Sequence, residues 1–248
     1  MKSIARLGVA VTATAALATA AMPAYAQTGT ASSTSTTAPT TRTAGLKGAQ
    51  TLADARIDGR LQTLHALNTA IGSATRLASA DRSTLSSLIG SDISGLTALR
   101  TKVGGETTVA GVRADETAMV DVYRVYMLVA PKVRLATVFD IEATAGGTLQ
   151  RVHDKLAARL AKQSGGGSAD EKARLADLQS QIQAAQQAAS GKVAALLAIQ
   201  PSPDATAIRS ALSPLVTAAK SARRDLVQAR DDAKTLRSEL KADPASGS

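Results

Sequence analysis

The chain has 248 residues, no cysteine, and 29 Lys+Arg against 20 Asp+Glu, a formal net charge of +9. With no cysteine there is no disulfide, thiolate metal site, cysteine nucleophile or lipid-modified N-terminal cysteine, so the fold holds by packing alone. Three Tyr, one Phe and no Trp supply too few stacking platforms for nucleic acid, despite the positive balance.

The first 26 residues read as a secretory leader. Lys2 and Arg6 form a positive start, an apolar or small-residue run follows over 7–22, and Ala24-Tyr25-Ala26 is a cleavage site of the A-x-A kind. The mature chain then begins at Gln27, and loss of Lys2 and Arg6 takes the net charge from +9 to about +7. An exported basic protein is drawn to anionic envelope material. No later stretch is long and apolar enough to span a bilayer. The expected location is therefore secreted or extracytoplasmic, associated with the envelope.

Residues 27–45 are a Ser/Thr/Ala tract with almost no large apolar residue and read as a disordered tether. A first helix is predicted over 46–78, its stripe formed by Ile57, Leu61, Leu64, Leu67, Ile71, Ala74 and Leu77, with His65 at the stripe's edge. Ser79 to Asp81 breaks the pattern and offers caps. A second helix over 81–103 follows, with Leu85, Leu88, Ile89, Ile93, Leu96, Leu99 and Val103 on one face and Gly104-Gly105 past its end. The short connection makes the two a hairpin.

A third helix starts near Thr108. It contains the apolar stretch 119–141, which holds all the aromatic residues left after the leader: Tyr123, Tyr126 and Phe139. A helix that apolar must be covered on several sides, which makes it the central helix of a bundle. Val122 to Tyr126 favours strand by composition. No second β-rich run exists to pair with it, so helix is the reading. Pro131 removes a backbone donor and predicts a kink or break there, and Gly146-Gly147 offers another place to break. Tyr123, Tyr126, Met127 and Phe139 are the candidate core or small-ligand cluster.

Beyond a glycine-rich turn at 164–168, a fourth helix is predicted over 169–199 with an alanine-rich face. Gln200-Pro201-Ser202-Pro203-Asp204 punctuates the chain, with Ser202 positioned to cap and Pro203 at the first helical position. The fifth helix runs to about residue 241. Its apolar positions Ile208, Leu212, Leu215, Ala219, Ala222, Leu226, Ala229, Ala233, Leu236 and Leu240 form an unbroken heptad seam across Pro214. If this seam is not filled within the chain, it offers self-association or a partner helix. Residues 243–248 are a frayed tail.

The fold class is all-α: an elongated antiparallel helical bundle over 46–242. It is built either as two three-helix units, 46–131 and 132–242, sharing a kinked central helix, or as one compact bundle of four or five helices. Tyr123-Arg124-Val125-Tyr126 followed by Pro131-Lys132-Val133 resembles the core motif of an uncharacterised family of exported actinobacterial helical proteins. Residues 96–102 (LTALRTK), 222–226 (ARRDL) and 229–233 (ARDDA) are similar to it too. The resemblance implies export and a helical fold, and the family has no assigned activity.

No hydrolase elbow, phosphate loop, zinc-protease or cysteine motif occurs, and His65 and His153 lie far apart. The reading is a non-catalytic protein without a metal or cofactor. Asp231, Asp232 and Glu171 read as solvated charges. Arg151, Lys155, Arg159 and Lys162 share one helical face and form a candidate polyanion-binding surface. The last helix adds Arg223, Arg224, Arg230, Lys234, Arg237 and Lys241, tempered by Asp225, Asp231, Asp232 and Glu239. The expected role is structural or protein-interacting at the envelope. The alternatives are an electrostatic binder of anionic wall polymer or lipid, and a carrier of a small apolar ligand. The partner would be a wall polymer or another envelope protein.

Overall fold

The computed structural model describes residues 40–74 and 77–242. The leader, most of the tether and the C-terminal tail lie outside the described residues. Seven α-helices occur among those described: α1 (Thr40–Ser73), α2 (Ser79–Gly105), α3 (Val109–Tyr123), α4 (Ala130–Leu160), α5 (Ala169–Ala189), α6 (Lys192–Ala198) and α7 (Ala205–Ala242). A π turn (Val125–Val129) joins α3 to α4, and no strand is present among the described residues. The protein is all-α, as its periodicity predicts.

Helix α1 begins at Thr40, six residues inside the stretch assigned to the tether. Residues 43–45 are exposed, so these first turns extend a formed helix rather than add to the core. Ala53, Ile57, Leu64 and Ile71 of α1 face Leu85, Ile89, Leu96 and Val103 of α2 in the first buried cluster. The Gln50 amide donates to the carbonyls of Val103, Gly104 and Glu106, which closes the α2 C-terminus. The expected caps at Ser79 to Asp81 are not used. The N-cap is Ala78, whose N–H donates to Asp140 Oδ1 at 3.2 Å. Thr108 caps α3 by accepting from the Gly111 N–H.

The long central helix is interrupted at Arg124 and not at Pro131. Arg124 adopts the left-handed conformation (φ 43°, ψ 37°), the only described non-glycine residue with positive φ. Its carbonyl then accepts from the N–H groups of Met127, Leu128 and Val129, and the Ala130 N–H reaches Val125. Pro131 has no N–H to contribute to either register, and a widened turn ahead of it relieves the clash a proline ring makes with the preceding carbonyls. Helix α4 runs through Gly146-Gly147 without a break.

Two further expectations change. The fourth helix is two, divided at Ser190-Gly191, where Gly191 takes φ 68° and ends the α5 register. The break turns Leu196 of α6 into the first cluster, beside Ile208 of α7. Helix α7 passes through Pro214 unbroken. The carbonyl that loses its partner there belongs to Ser210, which is exposed and meets water.

All ten heptad positions of α7, from Ile208 to Leu240, are buried within the chain. The seam is therefore satisfied intramolecularly and does not stand open to a second copy, which removes the route to self-association expected from it. Ile208, Leu212, Leu215 and Ala219 belong to the first cluster, with Val133, Ala136 and Phe139 of α4. Ala222 and Leu226 join Ala185 in a small middle cluster. Ala229, Ala233, Leu236 and Leu240 join Leu156, Leu160, Leu178 and Ile182 in another. Helices α4 and α7 feed all three, so the core does not divide at Pro131. At the α4–α5 turn, Gly165, Gly166 and Gly167 all have positive φ, and a capping box follows: Glu171 N–H to Ser168 Oγ, Ser168 N–H to Glu171 Oε2. Glu171 is thus a buried cap and not a solvated charge.

Candidate functional site

Two places in the fold concentrate charge. The first lies where the π turn meets the α6–α7 linker. The Arg124 guanidinium is buried, donating through Nε to the Ser202 carbonyl at 2.7 Å and through Nη2 to Asp121 Oδ1 and the Pro203 carbonyl. Eight residues on, Lys132 is 3% exposed and its Nζ donates to the carbonyls of Leu197 and Ile199. The linker needs these donors. It follows a helix end, where carbonyls lack partners, and Pro201 and Pro203 bring no N–H of their own. Ser202 and Pro203 serve through their carbonyls, and the Ser202 hydroxyl accepts from the Asp204 N–H at 3.1 Å. The N-cap of α7 is Asp204, whose Oδ1 accepts from Thr206 and Ala207.

Asp92 of α2 faces the same junction. Its Oδ2 is buried without a hydrogen-bond partner, and burial pushes the carboxyl up to about 6 against the opposing pull of Lys132. Burial, and then the Asp92 charge, raise the Tyr123 phenol in turn. A cleft of about 90 Å³ opens here between Thr84, Leu88, Asp92, Leu128 and Lys132. Ligand pockets span about 300–1,000 Å³, whereas a water occupies about 30 Å³. The cleft is the size of a few waters, enough to hydrate Asp92. No cluster of His, Asp and Glu among the described residues is arranged to hold a metal ion, and His65 is exposed.

The aromatic cluster does not form a pocket. Phe139 is buried in the first core cluster and Met127 is half-buried against it. Tyr123 lies over Gly95, where an added Cβ would sit 2.5 Å from the phenol oxygen. Tyr126 is 55% exposed, packed beside Gly59 with the Arg60 guanidinium 5.4 Å from its ring centre. Val122 is equally exposed, so the apolar stretch is covered on one side rather than all round. Its outer face carries one cation–π contact, from Arg60 of α1, and stays largely exposed.

The second place is the outer face of α4 and the turn just past its end. Arg151, Lys155, Arg159 and Lys162 are all exposed, while Leu156 and Leu160 on the other side are buried. Arg151 donates to the Thr148 hydroxyl at 3.1 Å. None of the four makes an ion pair among the described residues. Three of the cations of α7 behave differently. Arg224 pairs with Asp225, and Arg230 and Lys234 both with Asp231. Asp232 accepts from Gln181 across the α5–α7 contact.

The sequence reading missed Arg124, Lys132 and Glu142 as buried polar groups and Asp92 as a half-buried one. Glu142 of α4 is 7% exposed, neither carboxylate oxygen has a hydrogen-bond partner, and burial pushes it up to about 7 against the field of Arg223. One signal was available. Each lies beside large apolar residues, Ile93 after Asp92 and Ile141 before Glu142, where a solvated charge is out of place. No family model matches the chain, and no curated protein or solved structure is similar to it.

Proposed function

We propose that the chain is an exported, non-catalytic helical bundle that works by surface contact at the cell envelope, in a structural or protein-interacting role. The observation that carries this reading is that the interior is used up. The α7 seam is filled by the chain's own helices, the aromatic residues do not converge, and the cleft at Asp92 has room only for water. What remains for a partner is the outside of the helices. The leader at residues 1–26 and the Tyr123 to Val133 resemblance support export and a helical family of the kind found in actinobacteria.

The test is to express the full chain with its leader and fractionate the cells. The expected result is a mature form beginning at Gln27, retained on washed envelopes. Recovery of the intact chain from the cytoplasm alone would refute the reading. A carrier of a small apolar ligand is disfavoured by the outward position of Tyr126. Lipid recovered in stoichiometric amount from the purified protein would reinstate it.

A further inference from the structure

We propose that the strip formed by Arg151, Lys155, Arg159 and Lys162 is a docking surface for a linear polyanion of the phosphodiester kind, carrying one phosphate per repeat. This rests on the surface-contact reading and gives that surface its chemistry. Arg151, Lys155 and Arg159 advance along α4 by about 6 Å each and stay within an arc of about 80° on the helix, and Lys162 follows in the turn just past its end. The three helical cations make a single file about 12 Å long, extended by Lys162, which suits a thread of charge better than a flat or globular partner.

The strip lacks internal neutralisation. Among the described residues no carboxylate pairs with any of the four, and the acid at its edge, Asp154, is engaged by Gln150 Nε2 and His153 Nδ1. Those two donors, both on Oδ1, hold the Asp154 carboxyl below its ordinary value, so it stays ionised. Arg159 lies in the last turn of α4, where a cation also complements the helix carbonyl end. Arg151 and Lys155 stand more than a turn further back, where the helix end confers no such benefit.

A membrane is the poorer fit. Helices that lie in a bilayer surface insert large apolar side chains beside their cations. Among the described residues the exposed large apolar ones are Leu52, Val120, Val122, Tyr126, Val138, Ile141, Val216 and Val227, and none lies between residues 142 and 215.

The experiment uses the mature chain and a fluorescent poly(glycerol phosphate) of about ten repeats, read by anisotropy at 50, 100 and 200 mM salt. Four phosphate contacts give a log–log salt slope of about −3, hence about 50-fold weaker binding between 50 and 200 mM salt. The variant carrying Arg151→Gln, Lys155→Gln, Arg159→Gln and Lys162→Gln should keep its helical spectrum and bind at least about tenfold more weakly at 50 mM salt, with a slope near zero. A charge-matched variant, Arg223→Gln, Arg224→Gln, Arg230→Gln and Lys234→Gln, should bind as the wild type does.

Equal loss in both variants would overturn the strip in favour of net charge alone. Tighter binding to vesicles with about 30 mol% phosphatidylglycerol, uncompeted by the polymer at equal phosphate, would overturn it in favour of a membrane. Wild type that stays on washed envelopes but ignores the polymer rejects the strip and leaves surface contact standing. Wild type that does not stay on envelopes rejects surface contact itself.

Discussion

Replacing Glu142 with glutamine isolates the cost of a buried carboxylate in the middle of α4. Neither oxygen of Glu142 has a hydrogen-bond partner, and its carboxyl is pushed from the ordinary 4.5 up to about 7, first by burial, with Arg223 opposing. The folded state therefore keeps its proton at pH values where the unfolded chain has lost it. The stability this proton confers is full below about pH 4.5 and is lost as the pH rises through about 7. The gap is worth about 3 kcal/mol at most. Glutamine is close to the protonated acid in shape and never ionises. The Glu142→Gln protein should match the wild type within about 0.5 kcal/mol at pH 4.5 and exceed it by about 2–3 kcal/mol at pH 8.5. Urea unfolding of both proteins, followed by helical circular dichroism from pH 4.5 to 9, measures this. Titrations common to both, including that of Asp92, cancel in the difference. A difference that does not change with pH, or a variant less stable at pH 8.5, would refute the reasoning.

Paired glycines of α2 test the packing of Tyr123. Gly90 has nothing within 4 Å of an added Cβ, so Gly90→Ala should stabilise by about 0.5–1 kcal/mol, whereas Gly95→Ala drives a methyl into the Tyr123 ring and should destabilise by about 1–2 kcal/mol, both read by thermal unfolding. Lys132→Met removes the donor from the Leu197 and Ile199 carbonyls and should cost about 2–3 kcal/mol in urea, with Asp92 titrating higher still once its cation is gone. Gly147→Ala, at a helical site with open space around it, should gain about 1 kcal/mol in the same measurement.

Much of the fold was legible because helical stripes declare themselves. The faces of α1, α2 and α7 read from Ile57, Leu85 and Ile208 onward match the buried positions, since burying a stripe every three or four residues is what holds a helix in a bundle. The breaks were harder. Pro131 and Pro214 were the obvious suspects, yet the chain turns at Arg124 and Gly191. Proline reports only a missing donor, whereas a left-handed arginine is held by carbonyls 78 and 79 residues away that no local pattern reveals. The basic strip was visible in spacing alone. That it stays unpaired, while Arg224, Arg230 and Lys234 find acids on their own helix, required the positions of the side chains. The aromatic cluster failed for the same reason: composition says Tyr126 is apolar enough to bury, and only packing shows that α1 reaches one side of it and leaves it more than half exposed.

Helix α7 leaves its mark on every layer of the interior, including the one that α1 and α2 begin. As a chain emerges N-terminus first, its opening hairpin can pair but cannot finish its core until residues 208–219 have appeared. Assembly is thus deferred to the end of synthesis. A truncation short of Ile208 should leave the first hundred residues with an unsealed apolar side, however intact their own sequence.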